Sequence, residues 1–424
     1  MRKINLAILL FLLTAAGYSF AQKNLNVGTN MLVDDNIFRN YAGQSDVVFM
    51  PYASLGYGVQ AWESDNLYFG YNGEFFLFNQ LSHRDFSVHQ FGADYNHMWP
   101  ESQTLLALGG QVEVRFNPQD YSYYNYTTGG FYGNFKRYLR DNVMFLARYN
   151  LNGKSFKEFP EFNYAEQIVA LQTNIYLPTR TTLSLSSTYY HKNYTSSVSS
   201  FDSTYVIRED LSGNQADLRP LMGRGMGMGR WFWDWQNPTD PSEVEGFFIY
   251  GVREEQFAST DQLKLGGTVA QNLAESTGLM FGYFARINPH SRNRFLSNLG
   301  ESVLNNEEVF DDHYSYIGHE GKLQLKQMLP GQSTLTLLLS ARSRKFSGRP
   351  AMDLEGNVLP GGESRLDRAV LFQAQFTKRL TSGSFQMLND FNFSINAGAG
   401  KNSSNDEYYD YKSAWFSVAV EKGF

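Results

Sequence analysis

The chain of 424 residues contains no cysteine. It can therefore form no disulfide, carry no lipid on an N-terminal cysteine and use no thiolate in catalysis. Beyond residue 16 it also lacks any apolar run long enough to cross a membrane as a helix. The chain also lacks an excess of positive charge, because 36 basic residues stand against 42 acidic ones and the formal net charge is −6. This argues against a nucleic-acid ligand.

The N-terminal segment has the pattern of a secretory signal. Arg2 and Lys3 precede an apolar run over 4–16, and small residues follow that run. We expect residues 1–21 to be removed after export and residues 22–424 to form the mature protein. The run at 4–16 is too short to remain as a stable membrane-spanning helix.

Aromatic residues are abundant although the chain is not hydrophobic overall. Phe, Tyr and Trp make up 16% of the residues, whereas the mean hydropathy is −0.39. A transmembrane β-barrel needs this combination, since only alternate residues of each strand contact lipid and aromatic side chains gather at both membrane interfaces. One barrel can also contain all of residues 22–424, so no second domain is required.

The last eleven residues alternate between an apolar face and a small or polar face. Phe416, Val418, Val420 and Phe424 share the apolar face. This strand resembles the C-terminal strand of bacterial outer-membrane β-barrels, whose final Phe is recognised by the barrel assembly machinery. The resemblance implies insertion into outer-membrane lipid with that machinery as a partner. With lipid on one face, the whole chain must close into a barrel.

Segments with the same alternation recur along the chain and are separated by polar breaks. They predict an all-β fold, a transmembrane antiparallel up-and-down β-barrel of about sixteen strands, with fourteen as the alternative if the first segment is an arm or two segments merge. The apolar face shifts by one residue near His89 and Gln90, which predicts a β-bulge there. The predicted strands span residues 24–35, 45–61, 66–78, 83–99, 104–116, 122–139, 142–152, 164–177, 180–193, 258–273, 277–288, 312–329, 333–346, 365–380, 384–398 and 409–424.

Short and long connections alternate between these segments. Tight breaks such as 100–102 and 381–383 follow every second strand, and more variable connections such as 36–44 follow the others. This order is typical of outer-membrane barrels, which have short periplasmic turns and longer outer loops. The longest connection, 194–256, is too aromatic for a disordered linker.

Short motifs mark the beginning of the predicted barrel. Asp34-Asp35-Asn36-Ile37-Phe38 is followed by Ser45-Asp46 and by Pro51-Tyr52-Ala53-Ser54-Leu55-Gly56-Tyr57. Together they resemble the opening of a family of β-barrel porins of bacterial outer membranes, and the aromatic content resembles barrels of the Bacteroidetes group. The resemblance covers only this first part of the chain. It implies a barrel and passive or export-linked transport, without naming a substrate.

If the apolar faces contact lipid, the opposite faces line a lumen. A mixed set of charges then lies inside the barrel, and a hydrated interior of this kind suits an aqueous channel. Basic residues are in excess, so we expect a mild preference for anions; alternatively, the charges are solvated or paired and leave selectivity unchanged. The set comprises Glu74, Glu113, Arg115, Glu166, Lys192, Arg286, Glu320, Lys322, Lys326, Arg342, Arg344, Arg379 and Asp390.

Connection 194–256 holds a stretch rich in glycine and methionine, followed by alternating tryptophans. Three interpretations are open. The connection narrows or plugs the barrel, it caps the barrel from outside as a partner-binding surface, or its tryptophans stack on sugar rings. Its candidate constriction residues are Arg224, Arg230, Trp231, Trp233 and Trp235.

Patterns for catalysis and metal binding are weak. His191 follows a pair of serines and His313 follows a pair of aspartates, but no recognised nucleophile motif is present. A barrel hydrolase is therefore a minor alternative, and we expect no enzyme activity, cofactor or metal. Asp34-Asp35-Asn36 offers oxygen ligands for Ca²⁺, although an acidic rim loop explains these residues equally well.

These observations predict an outer-membrane channel for the passive passage of small hydrophilic solutes. Its mixed-charge lumen is narrowed by connection 194–256. The main alternative is a structural or partner-binding barrel, which serves polysaccharide or protein export or surface assembly through a surface or periplasmic partner.

Overall fold

The computed structural model describes residues 21–158, 160–195, 205–206, 247–249, 259–290, 296–298, 313–380 and 391–424. These residues form a closed antiparallel barrel of sixteen strands, so the predicted fold class and strand number are confirmed. The strands are β1 (Ala21–Asp34), β2 (Asp46–Trp62), β3 (Asp65–Phe78), β4 (Phe86–Trp99), β5 (Thr104–Phe116), β6 (Tyr126–Arg140), β7 (Val143–Phe156), β8 (Tyr164–Tyr176), β9 (Thr181–Tyr194), β10 (Ser259–Ala274), β11 (Thr277–His290), β12 (Tyr316–Leu329), β13 (Ser333–Pro350), β14 (Ser364–Leu380), β15 (Phe391–Ser404) and β16 (Tyr411–Gly423).

Each strand pairs with its neighbours in sequence, and β1 closes the barrel on β16. The closing seam pairs Asn26 with Gly423 at one end and Asp34 with Trp415 at the other. Because all pairs are antiparallel and consecutive, the topology is up-and-down. Closure of this kind removes the free strand edges that would otherwise invite aggregation.

The two ends of the barrel differ in their connections. The lower end carries both ends of the described chain and turns as short as 63–64 and 141–142. The upper end carries longer connections, including 35–45, 351–363 and the span between β9 and β10. In outer-membrane barrels the short turns face the periplasm and the long connections face outward.

Short elements decorate the upper connections. An antiparallel sheet of three short strands, Tyr205–Val206, Phe247–Ile249 and Leu296–Asn298, joins the two longest connections. Across the described ranges, no helix is long and apolar enough to span a membrane. The same ranges contain 3₁₀ helices at Ser82–Arg84, Gln119–Tyr124, Pro160–Phe162, His313–Ser315 and Glu407–Tyr409.

The predicted bulge near His89 and Gln90 is wrong. β4 pairs with β3 and with β5 without any shift of register. The apolar residues change face for another reason. Phe86 points inward and is buried beneath the upper connections, whereas Phe91 points outward and is 45% exposed.

β15 departs most from its predicted end, because the prediction was 384–398 and the strand continues to Ser404. Residues 384–390 of the prediction lie outside the described residues. The predicted turn at 381–383 lies outside the described residues. Gly398 of this strand gives space to the Trp415 ring, which an added Cβ would overlap. Glycine in a strand often marks such a close approach.

The outer wall of the barrel is apolar. Large hydrophobic side chains are exposed at alternate positions, for example Val370 and Phe372 on β14. Phe416, Val420 and Phe424 of the final strand also face outward. A closed barrel pairs its strand backbones internally while it presents an apolar band to lipid. The chain is therefore an outer-membrane β-barrel protein.

Candidate channel lumen

The inner wall carries the predicted charges. Residues paired directly across neighbouring strands share one face of a sheet, and the register leads from Glu74 through Val88 to Arg115. The inward set contains Glu74, Glu113, Arg115, Glu166, Lys192, Arg286, Glu320, Lys322, Lys326, Arg342, Arg344 and Arg379. The other predicted lumen and constriction residues lie outside the described ranges; they are Asp390, Arg224, Arg230, Trp231, Trp233 and Trp235.

Inward cations near the upper end lie on aromatic rings. The Arg115 guanidinium carbon is 3.9 Å from the Phe86 ring centroid, and Lys154 Nζ is 3.8 Å from that of Tyr126. Strand pairing explains the pattern, because each ring lies on the neighbouring strand, close to the direct partner of the cation and on the same face of the sheet. We name this set the cation belt; its members are Arg115, Lys154, Lys192 and Arg365, with Lys192 on Tyr164 and Arg365 on Phe346.

One side of the inner wall, on β10–β13, is basic. Lys264 Nζ and Lys322 Nζ lie 4.9 Å and 5.6 Å from the Phe284 ring centroid. Glu320 is paired locally, since its Oε1 lies 3.1 Å from Lys322 Nζ. We name this surface the basic sector; its members are Lys264, Arg286, Lys322, Arg342 and Arg344.

The opposite side is acidic. Glu74, Asp94 and Glu113 face inward from β3–β5, and we name them the acidic sector. Tyr126 Oη donates a hydrogen bond of 2.8 Å to Glu113. In a closed ring of sixteen strands, β4 stands across the lumen from β12, so the two sectors face one another.

Connection 35–45 folds inward across part of the mouth. Ile37 and Phe38 are only 1% and 2% exposed. They pack on inward residues of β1–β4, and Arg84 lies 4.9 Å from the Phe38 ring centroid. We name this cluster the apolar half of the mouth; it comprises Leu32, Ile37, Phe38, Val48, Met50, Phe78, Leu81 and Phe86.

The motif at 34–38 is architectural. The Asp34 carboxylate accepts two hydrogen bonds from the Arg39 guanidinium, at 2.9 Å and 2.6 Å. Asn36 Nδ2 donates to the Lys412 carbonyl at 3.1 Å, which ties the connection to β16. In the described part of the chain, no group of three or more acidic, histidine or cysteine residues could hold a metal ion.

The other side of the mouth is held by charged and polar groups. Arg365 donates to both Asp367 oxygens, at 3.0 Å and 2.5 Å. Asp406 accepts from the backbone N–H groups of Met352 at 3.3 Å and Tyr408 at 3.2 Å. Burial raises the Asp406 pKa to about 6. We name this region, β13–β16 with connections 351–363 and 405–410, the polar half of the mouth.

Sequence reasoning missed several of these residues. Ile37 and Phe38 form an apolar pair inside a predicted connection, and that pair was the available signal. Lys264 and Arg365 lie in predicted strands and alternate with apolar residues, so their inward positions could have been derived as those of Arg286 were.

The two histidines of the hydrolase alternative lie in different surroundings. His191 is on the outer wall, where Nδ1 lies 2.6 Å from Asp261 and Nε2 lies 2.8 Å from the Asn193 amide. Ser186 faces the lumen, on the other side of the sheet. His313 Nε2 lies 3.8 Å from Glu166, so the two histidines do not form one site.

No family model matches the chain, and no curated protein matches it. Among solved structures it is similar to OprD of Pseudomonas aeruginosa, with 11% identity, coverage of 96% of this chain and 95% of that chain, and a TM-score of 0.44. For OccK8 (OprE) of the same organism the values are 9%, 96%, 98% and 0.48. For OccAB1 of Acinetobacter baumannii they are 9%, 96%, 98% and 0.45. The porin family suggested by the N-terminal motifs stays a prediction.

Proposed function

We propose that the protein is a passive channel for small hydrophilic solutes across the outer membrane. The observation that supports this most is the contrast between its walls, since strand after strand turns polar side chains inward and apolar side chains outward. Barrels of sixteen strands are wide enough to hold an aqueous channel. Passive passage requires only a water-filled lumen and a constriction.

The charges of the inner wall support a preference for anions. The basic sector holds five cations, of which Lys322 is paired with Glu320, whereas the facing acidic sector holds three carboxylates. A solute that passes between the sectors experiences a field across the lumen, which attracts and orients charged groups.

The constriction in this proposal has two parts. Connection 35–45 already covers the β1–β4 side of the mouth through Ile37 and Phe38. We propose that connection 194–256 narrows the remaining opening. Its candidate residues for this role are Arg224, Arg230, Trp231, Trp233 and Trp235.

Three further assignments belong to this proposal. The chain is a relative of the β-barrel porins that its N-terminal motifs resemble, and it has no catalytic role. Residues 1–21 are a cleaved signal peptide. The outer-wall residues Phe416, Val418, Val420 and Phe424 are the assembly signal.

Single-channel conductance in a planar bilayer tests the channel. The refolded mature chain is compared with a variant that lacks residues 213–245. Steady conductance of the intact protein supports the proposal, and a larger conductance of the variant supports a constriction by that connection. A salt gradient then gives the reversal potential, and a potential that favours cations would contradict the anion preference.

The same experiment separates the alternatives. Silence of the intact protein with conductance of the variant would make residues 213–245 a plug and favour a partner-opened barrel. Silence of both, with folding verified by circular dichroism, would remove the channel and leave a structural or partner-binding barrel for export or surface assembly. Ester hydrolysis that is lost in His191→Ala would overturn the non-catalytic assignment.

A further inference from the structure

The outer wall carries a group of cations at its upper end, apart from the lumen. They occur on four adjacent strands, β13–β16, and all are exposed. Each shares its face with apolar outer-wall residues, as Arg368 does with Val370, which is 54% exposed. We name this group the basic patch; its members are Lys345, Arg368, Lys401 and Lys412.

The basic patch is continuous. Lys401 and Lys412 are direct partners across β15 and β16. Arg368 is diagonal to Lys401, because Lys401 pairs with Val370. Lys345 is diagonal to Arg368 in the same way across β13 and β14. Direct partners have Cβ atoms about 5 Å apart and diagonal partners about 7–8 Å apart, so one anionic group can contact two cations at once.

The patch is not neutralised by any residue that the structure describes. In the described portion of the chain no ion pair involves any of its four members. Asp410 precedes β16 at the upper edge of the patch. Asp35 lies beside the patch, next to Ala414, whose backbone N–H donates a hydrogen bond of 2.6 Å to the Asp35 carboxylate. Like charges directly opposite one another destabilise a sheet. The Lys401–Lys412 pair therefore favours a bound anion.

The patch lies at the upper boundary of the apolar band. Arg368 is followed ten residues later on β14 by Lys378, and Lys412 is followed ten residues later on β16 by Lys422. Ten residues of strand extend about 33 Å. A tilt of about 40° reduces this to about 25 Å along the membrane normal, which is the height of the lipid-facing band. Each pair of cations thus brackets the band.

We propose that the basic patch binds phosphate groups of lipid headgroups in the outer leaflet. Lys and Arg at the end of an apolar band extend their charges to the headgroup level, where phosphate oxygens accept their hydrogen bonds. A lipid satisfies both surfaces, because its chains cover Val370 and Phe416 while its headgroup meets the cations. This assignment is independent of whether the lumen conducts.

Binding of a fluorescent phosphatidic acid to the full barrel in phosphatidylcholine nanodiscs tests the proposal. Each cation near an anionic headgroup changes affinity about fivefold, so Lys401→Gln/Lys412→Gln should weaken binding about 25-fold. The matched control is Arg137→Gln/Lys378→Gln, which removes two isolated outer-wall cations at the lower end. Each control cation stands alone, so the control should weaken binding by no more than about fivefold. A loss in the control equal to that in the patch variant would overturn the patch as a site.

The melting temperature of Lys412→Gln should differ from that of wild type in opposite directions without and with phosphatidic acid. In pure phosphatidylcholine, Lys412→Gln relieves repulsion from Lys401 and should raise the melting temperature slightly. With phosphatidic acid present, the same variant should melt below wild type. The proposal would be overturned if phosphatidic acid left the melting temperature of wild type unchanged. An equal rise of the wild-type melting temperature with inorganic phosphate would also overturn the proposal. So would a double variant whose oligomeric state changes while its lipid binding stays intact.

Discussion

The two halves of the barrel mouth are closed by opposite means. The apolar half buries Ile37 and Phe38 against inward residues of β1–β4, so its stability comes from area removed from water. The polar half relies on the buried Arg365–Asp367 pair and on Asp406. Buried charges stabilise only while their partners are present. The apolar half should therefore respond to lost volume, and the polar half to pH and to the loss of partners.

The largest effect is expected in the apolar half. Phe38→Ala should lower the free energy of unfolding by about 3–5 kcal/mol, because it empties a buried aromatic site. It should also widen the mouth and raise single-channel conductance. Denaturant unfolding in detergent and bilayer recording check the two effects. Tyr41→Ala, at a residue 51% exposed in the same connection, is the control and should change both little.

The second-largest effect is expected in the polar half of the mouth. Arg365→Met leaves the buried Asp367 carboxylate without its main partner and should cost about 3 kcal/mol in unfolding free energy. Ser404 still donates to Asp367, which limits the loss. The double variant Arg365→Met/Asp367→Leu should recover at least half of that cost in the same assay. Equal losses in the single and double variants would show that packing, not charge, holds this half.

Asp406 should make the polar half depend on pH. Its folded pKa of about 6 lies above the ordinary value of 3.8, so the folded state favours the protonated form. The stability that it contributes is complete below about pH 4 and is lost as pH rises through 6. At pH 8, the free energy of unfolding of Asp406→Asn should be about 2 kcal/mol higher than that of wild type. At pH 4 the two values should differ little. Phe38→Ala should cost the same at both pH values.

The smallest effect is expected at the Trp415 side chain, which lies between the two halves of the mouth. Trp415 packs against the apolar cluster and lies on Gly398 of β15. Gly398→Ala should displace the ring and cost about 1 kcal/mol of unfolding free energy. Gly129→Ala is the matched control, because an added Cβ there meets no atom within 4 Å. A similar result for both glycines would mean that the Trp415 contact contributes nothing.

Alternation predicted most of the barrel because it is a local property. Leu335, Leu337 and Leu339 repeat with period two, and any strand in which they occur must turn them to one side. The same rule indicated the inward side of Arg342 and Arg344. It failed at Phe86, where an apolar residue points inward because a connection covers it.

The arrangement of the mouth could not be predicted from local pattern. The hydrogen bond from Asn36 to the Lys412 carbonyl joins residues far apart in the chain, and no periodicity signals such a contact. The Asp34 carboxylate suggested a Ca²⁺ ligand, but the structure pairs it with Arg39. Which connections meet across a barrel depends on the closed ring, and the ring exists only after every strand has paired.

The seam between β1 and β16 makes completion of the chain a checkpoint in biogenesis. A polypeptide that is cut short before Tyr411 has no partner for β1, and Asn36 then has no Lys412 carbonyl to bind. Such a product keeps an open strand edge, which can pair with other chains and aggregate. The fold therefore distinguishes closed from unfinished barrels by geometry alone.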